Sequence, residues 1–342
     1  MKILLTGGLG YIGSHTCICL KEAGHDTVVI DNLCNSKISV KDNIEKITGS
    51  GIAFYEGDIR DRGFLRDVFQ RECRKQKIDA VIHFAGHKAV AESVEEPIDY
   101  FENNIAGTID LLAVMEEEDI RNLIFSSSAT VYNPKSPVPY KENDPKSPVN
   151  PYGETKYIIE RMLCSLAASK PSWNIVILRY FNPAGAHKSG LIGEDPGGIP
   201  NNLFPYILKA AKGELPALSV FGNDYPTPDG TGVRDYIHVS DLAEGHMAAL
   251  KTMLTGRGEE NPAVYNLGTG RGYSVLEIIE AFEKTNNVKV PYMIAARRAG
   301  DIAWSFASTE KAKKELHWET KRSIYDMCRD LWRFGHSGKR KW

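Results

Sequence analysis

Tyr152 and Lys156 lie four residues apart in Asn150-Pro151-Tyr152-Gly153-Glu154-Thr155-Lys156, downstream of Ser126-Ser127-Ser128-Ala129-Thr130. This spacing can turn a phenol into a base. A free tyrosine titrates near pH ~10, about three pH units above neutrality, a gap of roughly 4 kcal/mol. A lysine one helical turn away faces the same side and favours the phenolate by Coulomb attraction. Asn150 has the chemistry of an N-cap and Pro151 that of a first helical residue. Tyr152 then falls in the first turn, where the positive end of the helix dipole pushes its pKa the same way. In isolation the pair reads better as a surface tyrosine and a solvated lysine on an amphipathic helix. The remainder of the chain decides between these readings.

The pair needs a frame, and the N-terminus supplies its first part. Lys2-Ile3-Leu4-Leu5-Thr6 is an apolar run without helical period and reads as a buried strand. It enters Gly7-Gly8-Leu9-Gly10-Tyr11-Ile12-Gly13, which satisfies GxGxxG at Gly8, Gly10 and Gly13 and GxxGxxG at Gly7, Gly10 and Gly13. A helix to about Ala23 follows, with Gly24 as its C′ residue. Asp26-Thr27-Val28-Val29-Ile30 is a second strand, and Asp31 stands at its end. Strand, glycine turn, helix, strand and acid in this order make a dinucleotide-binding unit. The glycines let the backbone approach a pyrophosphate whose charge sits on the helix N-terminus. Asp31 accepts hydrogen bonds from an adenine-ribose diol and would repel a 2′-phosphate. No arginine lies in the next few positions, so the expected cofactor is NAD and not NADP.

Further strand-like runs follow at 53–55, 80–84, 122–126 and 175–179, separated by helical stretches. That alternation predicts an α/β fold, a Rossmann-type doubly wound parallel sheet with helices on both faces. Ligands in such sheets lie beyond the carboxyl ends of the strands. Gly7 to Gly13, Asp31, Asp58-Ile59, Phe84-Ala85-Gly86-His87-Lys88 and Ser126 to Thr130 all fall there. After about residue 182 glycine and proline become frequent, as in Gly193-Glu194-Asp195-Pro196-Gly197-Gly198-Ile199-Pro200. No second glycine fingerprint appears. The expected division is therefore an NAD-binding domain over 1–182 and a smaller α/β substrate-binding C-terminal lobe over 183–342. Around 235–250 a regular helix is expected to return to the first domain.

Composition narrows the function classes. With 42 Lys plus Arg against 44 Asp plus Glu, the net charge of −2 gives no reason to expect nucleic acid or an anionic membrane as partner. No run of about 18 apolar residues exists, so no transmembrane helix is expected. The N-terminus reads as a structural strand, not a signal peptide. The six cysteines show no CxxC pattern and read as free thiols of a reducing, cytoplasmic compartment. The nine histidines are scattered, and no metal site is expected. Lys339-Arg340-Lys341 reads as a frayed terminus.

Several long segments carry a resemblance. They include Thr6 to His15, Asp31-Asn32-Leu33-Cys34-Asn35-Ser36, His83-Phe84-Ala85-Gly86, Arg179-Tyr180-Phe181-Asn182-Pro183, Ile199-Pro200-Asn201-Asn202-Leu203, Phe221-Gly222-Asn223-Asp224-Tyr225 and Gly230 to Val239. With Tyr152 and Lys156, they make the chain resemble the extended short-chain dehydrogenase/reductase family, and within it the sugar-nucleotide 4-epimerases, from Met1 to about residue 330. The resemblance implies that Tyr11, Ile12 and the Asp31 to Ser36 loop hold the adenosine and pyrophosphate part of NAD, with Asp58 and Ile59 flanking the adenine. Phe84, Ala85, Gly86, Lys88, Asn103, Ser126 and Phe181 would line the nicotinamide half. Asn182, Asn202, Leu203, Phe221, Arg234, Tyr236, Arg298 and Asp301 would bind a UDP-sugar, the two guanidinium groups suiting its diphosphate. A homodimer built through helices of the first domain is implied in the same way.

The implied reaction is reversible inversion at C4 of UDP-hexoses. Tyr152 takes the proton of the 4-hydroxyl, and Ser128 hydrogen-bonds or relays it. Lys156 keeps Tyr152 ionised and hydrogen-bonds the nicotinamide ribose. A hydride leaves C4 and returns to the opposite face of the 4-keto sugar, so the NAD ends as it began and stays tightly bound. Sugar-nucleotide dehydratases of this fold carry an Asp-Glu pair after the active-site hydroxyl, whereas Ala129 and Thr130 follow Ser128 here. Ser305, four residues beyond Gly300-Asp301, would by the same resemblance occupy the position that flanks the sugar C2 in the family. A small side chain there implies room for N-acetylated sugars. The family's usual Val-Tyr-Gly is replaced by Val131-Tyr132-Asn133, and asparagine is expected to keep the turn by tolerating a left-handed backbone. The alternatives are another NAD-dependent nucleotide-sugar enzyme, a dehydratase or a net oxidoreductase, and a non-catalytic NAD-binding scaffold.

Overall fold

The structure is a computed structural model that describes residues 1–196, 200, 202–256, 260–298 and 300–337. Gly197, Gly198, Ile199 and Asn201 of the segments quoted above lie outside the described residues, as does the basic tail at 338–342.

Seven strands build one parallel sheet: β1 (Lys2–Thr6), β2 (Asp26–Asp31), β3 (Ala53–Glu56), β4 (Ala80–His83), β5 (Asn122–Ser128), β6 (Asn174–Tyr180) and β7 (Ala263–Leu267). Their order across the sheet is β7-β6-β5-β4-β1-β2-β3. The strand order reverses between β1 and β4, which is where a doubly wound sheet opens a crevice. All five residues of β1 are buried, because helices cover both faces and leave no polar side to the strand. The alternation of its side chains still sorts them. Ile3 and Leu5 join one core with Val29, Ile82, Ile18 and Leu250, while Leu4 joins the other with Val28, Val81, Leu65, Leu111 and Leu163. Burying each such side chain is worth about 1.5–3 kcal/mol, and this fixes the register in which every strand end reaches the crevice.

The returning segment is longer than the sequence indicates. The helix Val239–Leu254 packs on Tyr11–Glu22, and the chain then supplies β7 as an edge strand paired with β6. Asn266 interrupts the apolar signal of β7 yet is fully buried, because Tyr132 donates to its Oδ1 (2.6 Å) and its Nδ2 donates to the Tyr140 carbonyl (2.9 Å). A separate core holds the C-terminal lobe, with Phe204, Ile207, Leu208, Ile278, Phe282 and Leu331 at its centre. Short strand pairs join the lobe to the sheet-bearing part. Tyr236–His238 pairs with Asn182–Ala184, and Val233–Arg234 lies between Tyr273–Ser274 and Trp304–Ser305.

Candidate active site

Ser128 is the last residue of β5, and Tyr152 is the second residue of the helix Pro151–Ser169. Asn150 caps that helix, its Oδ1 accepting the Gly153 N–H at 2.8 Å, and Pro151 is its first residue. Lys156, one turn on, is buried and donates from Nζ to the Ser126 carbonyl at 2.8 Å. Its ammonium lies 5.9 Å from the Tyr152 ring centroid and 5.0 Å from that of Phe125. Ser128, Tyr152 and Lys156 line one cavity of about 300 Å³ together with Gly7, Gly10, Gly13 and Asp31.

Electrostatics in the protein alone differ from the sequence expectation. Burial raises the pKa of Tyr152, and only the hydrogen bond with Ser128 opposes it. Burial likewise lowers Lys156 to about 8, with Glu160 acting against the shift. Loss of solvation dominates in both, because both charged forms would have to leave water. The protein alone therefore holds a neutral phenol beside a lysine that is still mostly cationic at neutral pH.

The helix carrying the pair is held by side-chain contacts at two of its residues, Thr155 and Glu160. Arg179 of β6 forks onto Glu160 with Nε–Oε1 at 2.9 Å and Nη2–Oε2 at 2.7 Å, and both side chains are buried. Nearer the pair, Asn104 donates to Thr155 Oγ1 at 3.1 Å and accepts the His87 N–H at 2.7 Å. Asn103 and Asn104 sit in a five-residue π-helical turn, Glu102–Ala106, a local geometry common at functional sites.

The cofactor side is a cradle of backbone. Gly7 has φ +67°, and a Cβ on it would lie 2.7 Å from the Ala85 nitrogen. A Cβ on Gly13 would lie 2.4 Å from the Gly7 carbonyl oxygen. The helix Tyr11–Glu22 begins at Gly10 with no side-chain cap and no acid in its first turn, which leaves its first N–H groups for an anion. Asp31 accepts from the Leu9 N–H (3.0 Å), the Leu33 N–H (3.0 Å) and the Ser36 hydroxyl (2.7 Å), which hold it at the cavity wall. A second cavity of about 660 Å³ adjoins this one and adds Asn32, Ile59, Asn103 and Glu92 to its walls. Tyr11, Ile12, Cys34, Asn35, Ser36, Phe84, Ala85, Gly86, Lys88, Ser126 and Phe181 also reach these two cavities. The residues present thus fit a dinucleotide: glycines for its pyrophosphate, an acid for a ribose, and apolar walls for its rings.

A third cavity of about 490 Å³ opens on the lobe side and shares Asn182, Pro183 and Asn202 with the Tyr152 cavity. Leu203, Phe221, Arg234, Tyr236, Arg298 and Asp301 line it. Asp301 receives Arg298 Nε at 2.9 Å and lies 3.8 Å from Arg234 Nη2, so one carboxylate steadies two cations. Arg298 lies 4.8 Å over the Phe221 ring, and burial pushes the Tyr236 phenol up to about 12.

Three of the expected residues do not line these cavities. Leu33, at φ +59°, forms the bend beneath Asp31. Asp58 is engaged by Asn32 and Arg60, and Ser305 stands in register with Arg234 in the short strand pair. Asn133 needs no left-handed backbone. It holds its turn by accepting the Lys135 N–H at 2.9 Å, so side-chain bonding replaces glycine's freedom. His83 and His87 have the spacing of a helical ligand pair, which the sequence reading passes over. They diverge to separate partners, His83 to Thr6 and Thr108, and His87 to Asp99. Among the described residues no group of three or more metal-ligating side chains occurs. Glu194 is absent from the sequence expectations. It is a buried acid at the junction of the cavities, and its only local signal is an acidic residue within a Gly/Pro-rich stretch.

The model of the NAD dependent epimerase/dehydratase family matches residues 3–268. A UDP-glucose 4-epimerase of Bacillus subtilis is 53% identical over 337 residues, covering 98% of this chain and 97% of the relative. The structure is similar to that of UDP-glucose 4-epimerase from Stenotrophomonas maltophila with bound NAD and formylated UDP-arabinopyranose. The TM-score is 0.94 and the identity 49%, with 98% of each chain covered. It is also similar to the Bifidobacterium longum UDP-glucose 4-epimerase in complex with NAD+ and UDP, with a TM-score of 0.92, 49% identity and 98% of each chain covered.

Proposed function

We propose that this chain, which belongs to the NAD-dependent epimerase/dehydratase family, inverts C4 of UDP-hexoses reversibly and interconverts UDP-glucose and UDP-galactose. One observation carries the reading. The Tyr152, Lys156 and Ser128 side chains share a cavity with the glycine turn and Asp31, and it meets the Arg234 and Arg298 cavity at Asn182 and Asn202.

NAD, when bound, supplies the hydride acceptor and donor for C4. Gly7, Gly10, Gly13, Asp31 and Ser36 would hold its adenosine diphosphate half, and Phe84, Lys156 and Phe181 would border the other half. Arg234 and Arg298 bind the substrate diphosphate. Tyr152 takes the proton of the sugar 4-hydroxyl and later returns it to that same oxygen, the change of face being made at C4 by the hydride, and Ser128 hydrogen-bonds the oxygen. Lys156 remains mostly protonated at neutral pH, so it can hold the phenolate by charge once the cavity is filled. A dehydratase needs acids beside Ser128. Thr130 instead donates to Ser128 Oγ from its N–H (3.2 Å) and its hydroxyl (3.0 Å), a neutral surrounding.

Three finer readings belong here. The NAD-binding part comprises 1–182 and the returning segment, with the remainder forming the UDP-sugar lobe. Ser305 does not line the cavity but stands in register with Arg234, which does, and a small side chain at that position supports UDP-GlcNAc and UDP-GalNAc as further substrates. The protein works as a cytoplasmic homodimer, a reading supported by the exposed Val94, Ile98 and Ile109 on neighbouring helices of the first domain and by free cysteines.

The experiment is direct. The purified protein is denatured and the supernatant assayed for NAD, while native protein is incubated with UDP-glucose, UDP-galactose, UDP-GlcNAc and UDP-GalNAc. The 4-epimer with no accumulating reduced cofactor is expected. A released keto sugar or NADH points to a dehydratase or oxidoreductase, and NAD binding without turnover points to a scaffold.

A further inference from the structure

Glu194 is 5% exposed, and one of its oxygens receives two donors from opposite sides. Lys88 Nζ reaches Oε1 at 2.8 Å from the loop after β4, and Asn202 Nδ2 reaches the same oxygen at 2.6 Å. Lys88 lines both cofactor cavities, whereas Asn202 lines the catalytic cavity and the Arg234 cavity. One buried carboxylate thus joins a cation of the cofactor wall to an amide of the sugar-nucleotide wall.

The consequence for Asn202 is specific. It is the N-cap residue of the helix Leu203–Ala211, and asparagine is among the best capping residues, yet its side chain makes no cap hydrogen bond. The amide is drawn to Glu194 instead. The first turn of that helix contains no acid, so among the described residues its leading N–H groups have no capping side chain, at a cavity that includes Arg234 and Arg298. For Lys88 the same carboxylate fixes the ammonium at the wall and leaves two of its three donors for the cavity.

We infer that Glu194 is a positioning residue that couples the two ligands. By holding Lys88 and Asn202 together it makes occupancy of the sugar-nucleotide cavity strengthen the hold on the dinucleotide, and the reverse. This rests on the proposed assignment of the two cavities to NAD and a UDP-sugar. A carboxylate with fixed partners on both sides transmits a shift of either one to the other, and linkage makes the effect reciprocal in equilibrium binding.

The test measures NAD affinity of the cofactor-stripped full chain with and without saturating UDP, and UDP affinity with and without NAD. In the unaltered protein each ligand tightens the other by at least about fivefold. In Glu194→Ala both ratios fall to about one, and Glu194→Gln, which keeps the shape and one acceptor oxygen, gives an intermediate ratio. The Gln variant also carries the test if the Ala variant fails to fold by circular dichroism. Asn43→Ala, which removes the hydrogen bond from Asn43 Nδ2 to the Leu191 carbonyl (3.0 Å), retains the full ratio and so separates coupling from mere anchoring of the segment. A folded Glu194 variant that keeps the full ratio, an Asn43 variant that loses it, or an unaltered protein with no mutual effect overturns the inference. Failure of the unaltered protein to bind NAD or UDP at all would instead remove the functional assignment beneath it.

Discussion

The Lys156 ammonium stands 5.9 Å from the centre of the Tyr152 ring and gives one hydrogen bond to the Ser126 carbonyl at 2.8 Å. That bond aims the charge along the cavity wall, one helical turn from the phenol it serves. An ammonium has three donors, so two remain for whatever fills the cavity.

Tyr152→Phe removes the proton acceptor while leaving the glycine turn and Asp31 intact. Turnover of UDP-galactose should fall by roughly a hundred- to ten-thousand-fold, with bound NAD retained in the purified variant. A steady-state assay paired with cofactor quantification checks both, and a near-normal rate would remove Tyr152 as the base.

Lys156 gives a pH signature in stability. Burial lowers its pKa from the ordinary 10.5 to about 8, so the folded state binds fewer protons than the unfolded state between these values. Stability from this group therefore rises as pH climbs from about 8 to 10.5 and is lost as pH falls back through about 8. The full span is up to about 3 kcal/mol. Urea unfolding of cofactor-free protein across this range should show the rise, and Lys156→Met should lack it. Equal slopes in the two proteins would contradict the assignment.

Gly13→Ala would place a Cβ 2.4 Å from the Gly7 carbonyl oxygen, with only backbone to move aside. The expected cost is about 1–3 kcal/mol, together with loss of most bound NAD, because the turn that cradles the pyrophosphate must open. Thermal unfolding and cofactor content after purification report the two effects.

Ser305 tests the reading of sugar choice. Ser305→Tyr should abolish turnover of UDP-GalNAc while keeping UDP-galactose within about tenfold, since a single side chain gates a substituent by a few kcal/mol in a rigid wall. Its register opposite Arg234 ties its backbone to the diphosphate side of the site. Absence of UDP-GalNAc turnover in the unaltered protein would end this reading.

What could be read from the sequence, and what could not, divides by the range of the forces. The glycine turn, Asp31 and the Asn150-Pro151 helix start are local, since each demands a residue type from its own backbone, and each is found where expected. The direction of the Tyr152 shift was not legible, because it depends on how much solvent the assembled walls exclude. β7 escaped notice because Asn266, buried through partners more than 120 residues away, breaks its apolar run. Glu194 escaped for a similar reason: its meeting with Lys88 spans 106 positions and has no periodic signature.

In the proposed reaction one carbon loses and regains its hydrogen within the cavity of Tyr152. UDP-galactose deuterated at C4, turned over to equilibrium in ordinary water, tests it by mass and proton spectra of the product. Full retention of deuterium at C4 of the UDP-glucose formed is predicted, with no labelled reduced cofactor in solution. Replacement of the label by solvent hydrogen, or its appearance in released NADH, would contradict the claim.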